Sequence, residues 1–88
     1  MEPSSSHVRL LLFAAYREIV GTRELAVDVP EGASVADLFE IVGAEYPRLR
    51  QLRPSTAFAV NRTVVDGAHR LRDGDEVAFL QPVSGGGL

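Results

Sequence analysis

An 88-residue chain with no cysteine, nine arginines, no lysine and a formal charge of -3 has room for one small domain and lacks the groups that several chemistries need. Disulfides, thiolate nucleophiles, iron–sulfur clusters and cysteine-type zinc sites are excluded, as are Schiff bases and side-chain amines for isopeptide bonds. The acidic balance argues against a nucleic-acid footprint. No apolar run approaches the ~18 residues of a membrane span, and Met1–Ser6 lacks the apolar stretch of a signal peptide, so neither a membrane nor a nucleic acid is an expected partner and the expected location is cytoplasmic. An apolar content of 45% is that of a folded protein.

In chain order, Val8 to Ala15 is apolar on both alternating faces. Val8, Leu10, Leu12 and Ala14 share one face and Leu11 and Phe13 the other, which predicts a central strand. Tyr16 to Val20 predicts a short helical turn ended by Gly21. Leu25, Val27 and Val29 alternate with Asp28 and predict a strand in a hairpin with the first. Pro30-Glu31-Gly32 is a turn, after which Ser34 with Asp37 forms a variant capping box. Val35, Leu38, Phe39, Val42 and Tyr46 then mark one helical face, and Pro47 stops the helix. Gly43 weakens that helix by about 1 kcal/mol relative to alanine. Residues 48 to 55 read as an irregular connection. Thr56 to Asn61 predicts a strand, Asn61-Arg62 a tight turn and Thr63-Val64-Val65 a return strand. Leu71 is an isolated apolar anchor, Asp73-Gly74-Asp75 a turn, and Glu76 to Val83 the last strand. The first and last strands are the most apolar and are expected side by side mid-sheet. The pattern is α+β: a mixed sheet of about five strands with one main helix on one face.

The chain closes on Pro82-Val83-Ser84-Gly85-Gly86-Gly87-Leu88. Glycines without Cβ atoms suit a tail that threads into another protein's active site, although a frayed terminus has the same composition. Here the residues resemble a known family. Leu12-Phe13-Ala14-Ala15-Tyr16-Arg17-Glu18-Ile19-Val20-Gly21 is similar to a Phe-Ala-x-x-Arg-Glu-x-x-Gly segment of the molybdopterin synthase small-subunit family, ubiquitin-like sulfur carriers of the β-grasp fold. Val60-Asn61-Arg62-Thr63, then Leu71-x-Asp73-Gly74-Asp75-Glu76-Val77-Ala78-Phe79, then Pro82-Val83-Ser84-Gly85-Gly86 follow that family's order and spacing. The expected organisation is a disordered extension over 1–7, a β-grasp domain over 8–83 and a flexible glycine tail over 84–88, with the resemblance covering residues 8 to 86. The resemblance implies sulfur carried as a thiocarboxylate on a terminal glycine and donated to cyclic pyranopterin monophosphate. The expected partners are the large synthase subunit, which holds the catalytic side chains, and an E1-like adenylating enzyme that uses ATP. No bound cofactor or metal is expected on the chain itself.

Aligned from Val83, the family's terminal glycine falls on Gly86, or on Gly87 if the register slips, with Gly85, Gly86 and Gly87 forming the tail. Gly87-Leu88 depart from the family's Gly-Gly end, so a trimming protease is one expected partner, and a β-grasp module that never loads is an alternative. A sulfur carrier for another pathway and a small protein modifier are further alternatives. The resemblance places Phe13, Val64 and Leu80 in contact with the large subunit, positions that ordinary core residues would equally suit. Arg17-Glu18 reads as a surface pair, Asp73 and Asp75 as turn residues, and the lone His7 and His69 as non-ligands.

Overall fold

Burial alternates along the first strand: Ser6, Val8, Leu10 and Leu12 are buried, while Ser5, His7 and Arg9 face water. The computed structural model describes residues 4–82. Its strands are β1 (Ser5–Leu12), β2 (Glu24–Pro30), β3 (Ala57–Val60), β4 (Thr63–Val65) and β5 (Glu76–Leu80). They form one five-stranded sheet in the order β2-β1-β5-β3-β4, with β1 and β5 parallel at its centre and the other neighbours antiparallel. Helix α1 (Ala14–Val20) follows β1, and helix α2 (Val35–Glu45) links β2 to a 3-10 helix over Pro47–Ser55. This is the expected α+β, ubiquitin-like β-grasp arrangement. Among the described residues no helix is long and apolar enough to cross a membrane.

Helix α2 starts where its sequence says it should. Ser34 Oγ accepts from the Asp37 amide at 3.1 Å, and the Ser34 amide donates to Asp37 Oδ2 at 3.0 Å. The next two amides have no partner within the helix. Val35 N–H donates to the His69 carbonyl at 2.9 Å and Ala36 N–H to the Gly67 carbonyl at 3.0 Å, so the β4–β5 loop completes the cap. The same loop buries Leu71, the expected anchor. The buried face of α2 is Val35, Leu38, Phe39, Val42 and Gly43. Gly43 has a packing reason: a Cβ there would sit 3.3 Å from Cγ of Arg50 on the 3-10 helix. The core closes on an aromatic cluster in which Phe39, Phe58 and Phe79 lie 5.0–6.0 Å apart and Tyr16 stands edge-on to Phe79 at 6.0 Å.

Five expectations are corrected. β1 begins at Ser5, so Ser5–His7 are strand rather than disordered extension; they pair with Pro30, Val29 and Asp28. Ala14 belongs to α1, not to the buried face of β1, because the backbone turns there through a left-handed φ of 49°. Residues 47–55 form a 3-10 helix, which the arginine-rich, proline-flanked sequence did not suggest. β5 ends at Leu80, two residues before the non-donating Pro82. Val27 is half-buried rather than buried, since β2 lies at the sheet edge. The Asn61-Arg62 turn is as expected, with φ of 51° and 71°, the signature of a tight primed hairpin turn.

Replacing Leu38 by alanine removes a fully buried side chain from α2. It should lower the unfolding free energy by about 2–5 kcal/mol in chemical denaturation; a change under about 1 kcal/mol would contradict this packing. A second outcome concerns His7, whose ring is hydrogen-bonded to Asp28 across the β1–β2 pair. That bond, the Asp28 charge and a smaller contribution from Asp73 raise the imidazole above its ordinary 6.5, against a weak burial effect. The fold therefore favours the protonated ring. Its stabilising contribution is fully present below pH 6.5 and fades as the pH rises through the folded value. An NMR titration should place the His7 midpoint above 6.5 and show it falling toward that value in Asp28→Asn; equal midpoints would rule the pair out.

Candidate functional site

The sheet register sorts side chains onto two unlike faces. Val77 and Phe79 of β5 pair with Val60 and Phe58 of β3 and with Leu10 and Leu12 of β1, and all of these point toward α2. The alternate positions face away from it. There Leu11 pairs with Ala78, Ala78 with Ala59, Ala59 with Val64, and Leu80 with Ala57. Phe13 is extended (φ -127°, ψ 157°) and continues the alternation of Arg9 and Leu11 onto this outer face. No helix covers it. Its middle is a floor of Ala57, Ala59 and Ala78, with the larger Phe13, Leu80 and Val64 around it.

The structure brings Phe13, Val64 and Leu80 onto one face. Phe13 is 50% and Val64 72% exposed, and Leu80 is half-buried. None of the three is core. The sequence reading missed the alanine floor; its signal was the Ala57-Phe58-Ala59 alternation, with small residues on one side and an aromatic on the other. Exposed apolar groups clustered on one sheet face mark an interaction surface.

The other end of the outer face is ionic. His7 bonds Asp28, and Arg9 bonds Glu76 and lies 3.7 Å from Glu24. The Glu76 contact and the nearby Glu24 raise the Arg9 guanidinium further above its ordinary range. These pairs are half-exposed, so each contributes little stability, but they give the face a polar border next to the apolar half.

At the apolar end, β1 and β5 both finish, because they run parallel. Gln81 and Pro82 continue from β5 past the end of the ladder, at the edge where Phe13 follows β1. Gly85, Gly86 and Gly87 lie outside the described residues. Below this exit the Tyr16 ring is fully buried. Its hydroxyl is 2.7 Å from Thr56 Oγ1 and 3.3 Å from the Leu80 carbonyl; because the Thr56 hydroxyl donates its own proton to the Leu52 carbonyl at 2.6 Å, the single Tyr16 proton is shared between those two acceptors. Burial pushes the Tyr16 phenol above its usual range, with the Thr56 hydrogen bond opposing.

The turn acids have structural duties. Asp73 accepts from the His7 amide at 2.7 Å, and Asp75 accepts from the Arg72 amide at 2.8 Å and from Asn61 Nδ2 at 3.0 Å. Asp75, Asn61, His69, Arg70 and Arg72 line an open polar groove of about 450 Å³ that contains none of the outer-face apolar residues. Among the described residues no group of three or more His, Asp or Glu side chains converges as a metal site would require. Arg53 lies over the Phe58 and Phe39 rings at 5.0 and 5.7 Å and closes the core edge as a cation on aromatic faces.

Comparison with known proteins agrees with this geometry. The Escherichia coli molybdopterin synthase sulfur carrier subunit is 42% identical over 83 residues, spanning 90% of this chain and 99% of that protein. The solved structure of a Pyrococcus furiosus protein provisionally described as molybdopterin converting factor subunit 1 superposes with a TM-score of 0.81 at 29% identity, covering 89% of this chain and 99% of the other. Small archaeal modifier protein 1 of Haloferax volcanii gives 0.80 at 26%, with the same coverage. A Caldiarchaeum subterraneum ubiquitin, at 15% identity and a TM-score of 0.63 over 93% of this chain and 99% of its own, shares the fold. The ThiS family model matches residues 10–86. Nearly the whole β-grasp domain and the tail through Gly86 thus fall within one match, and the chain belongs to the ThiS family.

Proposed function

We propose that this chain is the sulfur-carrier subunit of a molybdopterin synthase. The observation that carries the reading is a family match running from β1 through Gly86, joined to an uncovered apolar face at the point where the tail leaves the sheet. Relatives that match along almost their full length carry that name. The large synthase subunit is the partner that would cover Phe13, Val64, Leu80 and the alanine floor.

The chemistry proceeds at the tail. A terminal carboxylate is a poor electrophile. An E1-like partner corrects this: a carboxylate oxygen attacks the α-phosphorus of ATP, pyrophosphate leaves, and an acyl adenylate forms on Gly86. A sulfur nucleophile supplied by a sulfurtransferase then adds to the acyl carbon and AMP departs, leaving a thiocarboxylate. The loaded tail enters the large subunit and donates its sulfur to cyclic pyranopterin monophosphate. Residues Pro82 to Gly86 span at most about 17 Å at ~3.3–3.6 Å each, enough to cross a partner's wall. Reactive-group placement is sensitive to errors of about 1 Å, so loading requires Gly86 at the terminus, and any residues beyond it must first be removed by a protease.

The likeness to an archaeal modifier protein supports a second reading, in which the same activated glycine acylates a lysine of another protein. One experiment separates the two. Chains ending at Gly86 and at Leu88 are incubated with the adenylating enzyme, ATP and a sulfur source. Mass spectrometry should show exchange of one oxygen for sulfur on the shorter form alone. Equal loading of both forms would refute the terminal-glycine requirement. Covalent adducts to other proteins without thiocarboxylate would favour the modifier, and no modification of either form would favour a non-loading module. For the docking face, Leu80→Glu should keep the fold and raise the Kd for the large subunit about 30-fold or more, because an unpaired carboxylate buried at an interface costs ~2 kcal/mol or more. Unchanged affinity would remove Leu80 from the interface.

A further inference from the structure

The hydroxyl network beneath the tail exit has no part in the core packing or in the docking face. Tyr16 already fills its site with its ring, which is fully buried against Phe79. The hydroxyl adds a specific link. It bridges α1 to the last residue of β5 through the Leu80 carbonyl, and to the end of the 3-10 helix through Thr56. Thr56 and its neighbour Ser55 both donate to the Leu52 carbonyl, at 2.6 and 3.2 Å. Ser55 in turn accepts from Gln81 Nε2 at 3.4 Å. The Tyr16 hydroxyl thus reaches Leu80 and the Ser55 hydroxyl reaches Gln81, with Thr56 bonded to Tyr16 between them, where the sheet ladder stops.

We propose that Tyr16 and Thr56 form a latch that fixes the base of the tail, setting the direction in which the terminal glycine is presented to its partners. This rests on the carrier reading for its consequence, though not for its structure. Tyr16 is a positioning residue: it acts through Leu80 and Gln81 and touches no reacting atom. Without the latch Leu80 and Gln81 lose their tie to α1 and the 3-10 helix, and the start point of the tail is no longer fixed. With it, a tail of about 17 Å starts from a fixed point.

The decisive variant is Tyr16→Phe. It keeps the ring, leaves Thr56 donating to Leu52, and strands no buried donor. Thr56→Val removes the second hydroxyl at nearly constant shape, and Thr56→Ser restores it. In the full chain, ¹⁵N relaxation should show the Gln81 amide near the rigid value of about 0.85 in wild type and Thr56→Ser, and below about 0.6 in Tyr16→Phe and Thr56→Val. Val77 and Ala78 should be unaffected. With the thiocarboxylate form and the large subunit, Tyr16→Phe should lower the rate of sulfur transfer at saturation about tenfold and leave the Kd unchanged. An unaltered Gln81 order parameter in both latch variants would overturn the proposal. So would loss of order in Thr56→Ser, or a change in Kd that accounts for the whole kinetic effect. If wild type takes up no sulfur, the carrier reading fails while the relaxation data still decide the latch.

Discussion

The parallel pairing of β1 with β5 is the constraint on which the rest of the molecule depends. It joins the two ends of the described chain through Arg9–Glu76, Leu10–Val77, Leu11–Ala78 and Leu12–Phe79, in the middle of the sheet. A parallel pair cannot be closed by a tight turn and needs a long crossover; here everything from α1 to the β4–β5 loop is that crossover. Because the strands point the same way, Phe13 and the start of the tail emerge at the same edge. The α1 helix, which follows β1 immediately, is therefore positioned to reach Leu80 through Tyr16.

The two faces of this one sheet have been given opposite side-chain sizes. The inner face carries Phe58, Phe79, Leu10, Leu12 and Val77 and is sealed by α2. The outer face carries Ala57, Ala59 and Ala78, with Leu11 beside Ala78 on β1. Small residues leave the backbone close to the surface, so an approaching protein can make contact over the sheet itself, while Phe13 and Val64 stand above it. The ionic pairs from His7 to Glu76 border this patch. Charges at such a rim steer and orient a partner more than they hold it.

The β4–β5 loop ties these features together at the opposite end. Its carbonyls cap α2, its Leu71 completes the core, and its amides and acids bind β1: Gly74 N–H donates to the His7 carbonyl at 2.8 Å and Arg9 N–H to the Asp75 carbonyl at 2.9 Å. The Asp-Gly-Asp turn, which in isolation could pass for a metal or acid–base pair, is thereby explained as the splice between loop, first strand and last strand.

Much of this was legible in the residue order. The α2 capping box, its apolar face, the primed turn at Asn61-Arg62, the Gly21 stop and the central place of the first and last strands all follow from local periodicity and turn chemistry, which depend on neighbours a few residues apart. The tail glycines and the family spacing were likewise visible, because motif order is a one-dimensional property. The tertiary structure alone decided what lies across from what. Register placed Ala57, Ala59 and Ala78 beside Leu11 and Val64, and β2 pairing drew Ser5–His7 into the sheet. Close packing against Gly43 goes with a 3-10 helix where the sequence suggested irregular chain. Tyr16 shows the division most clearly. Its sequence neighbours mark it only as part of a short helix, and it meets Leu80, 64 residues away in sequence, because β1 and β5 end side by side.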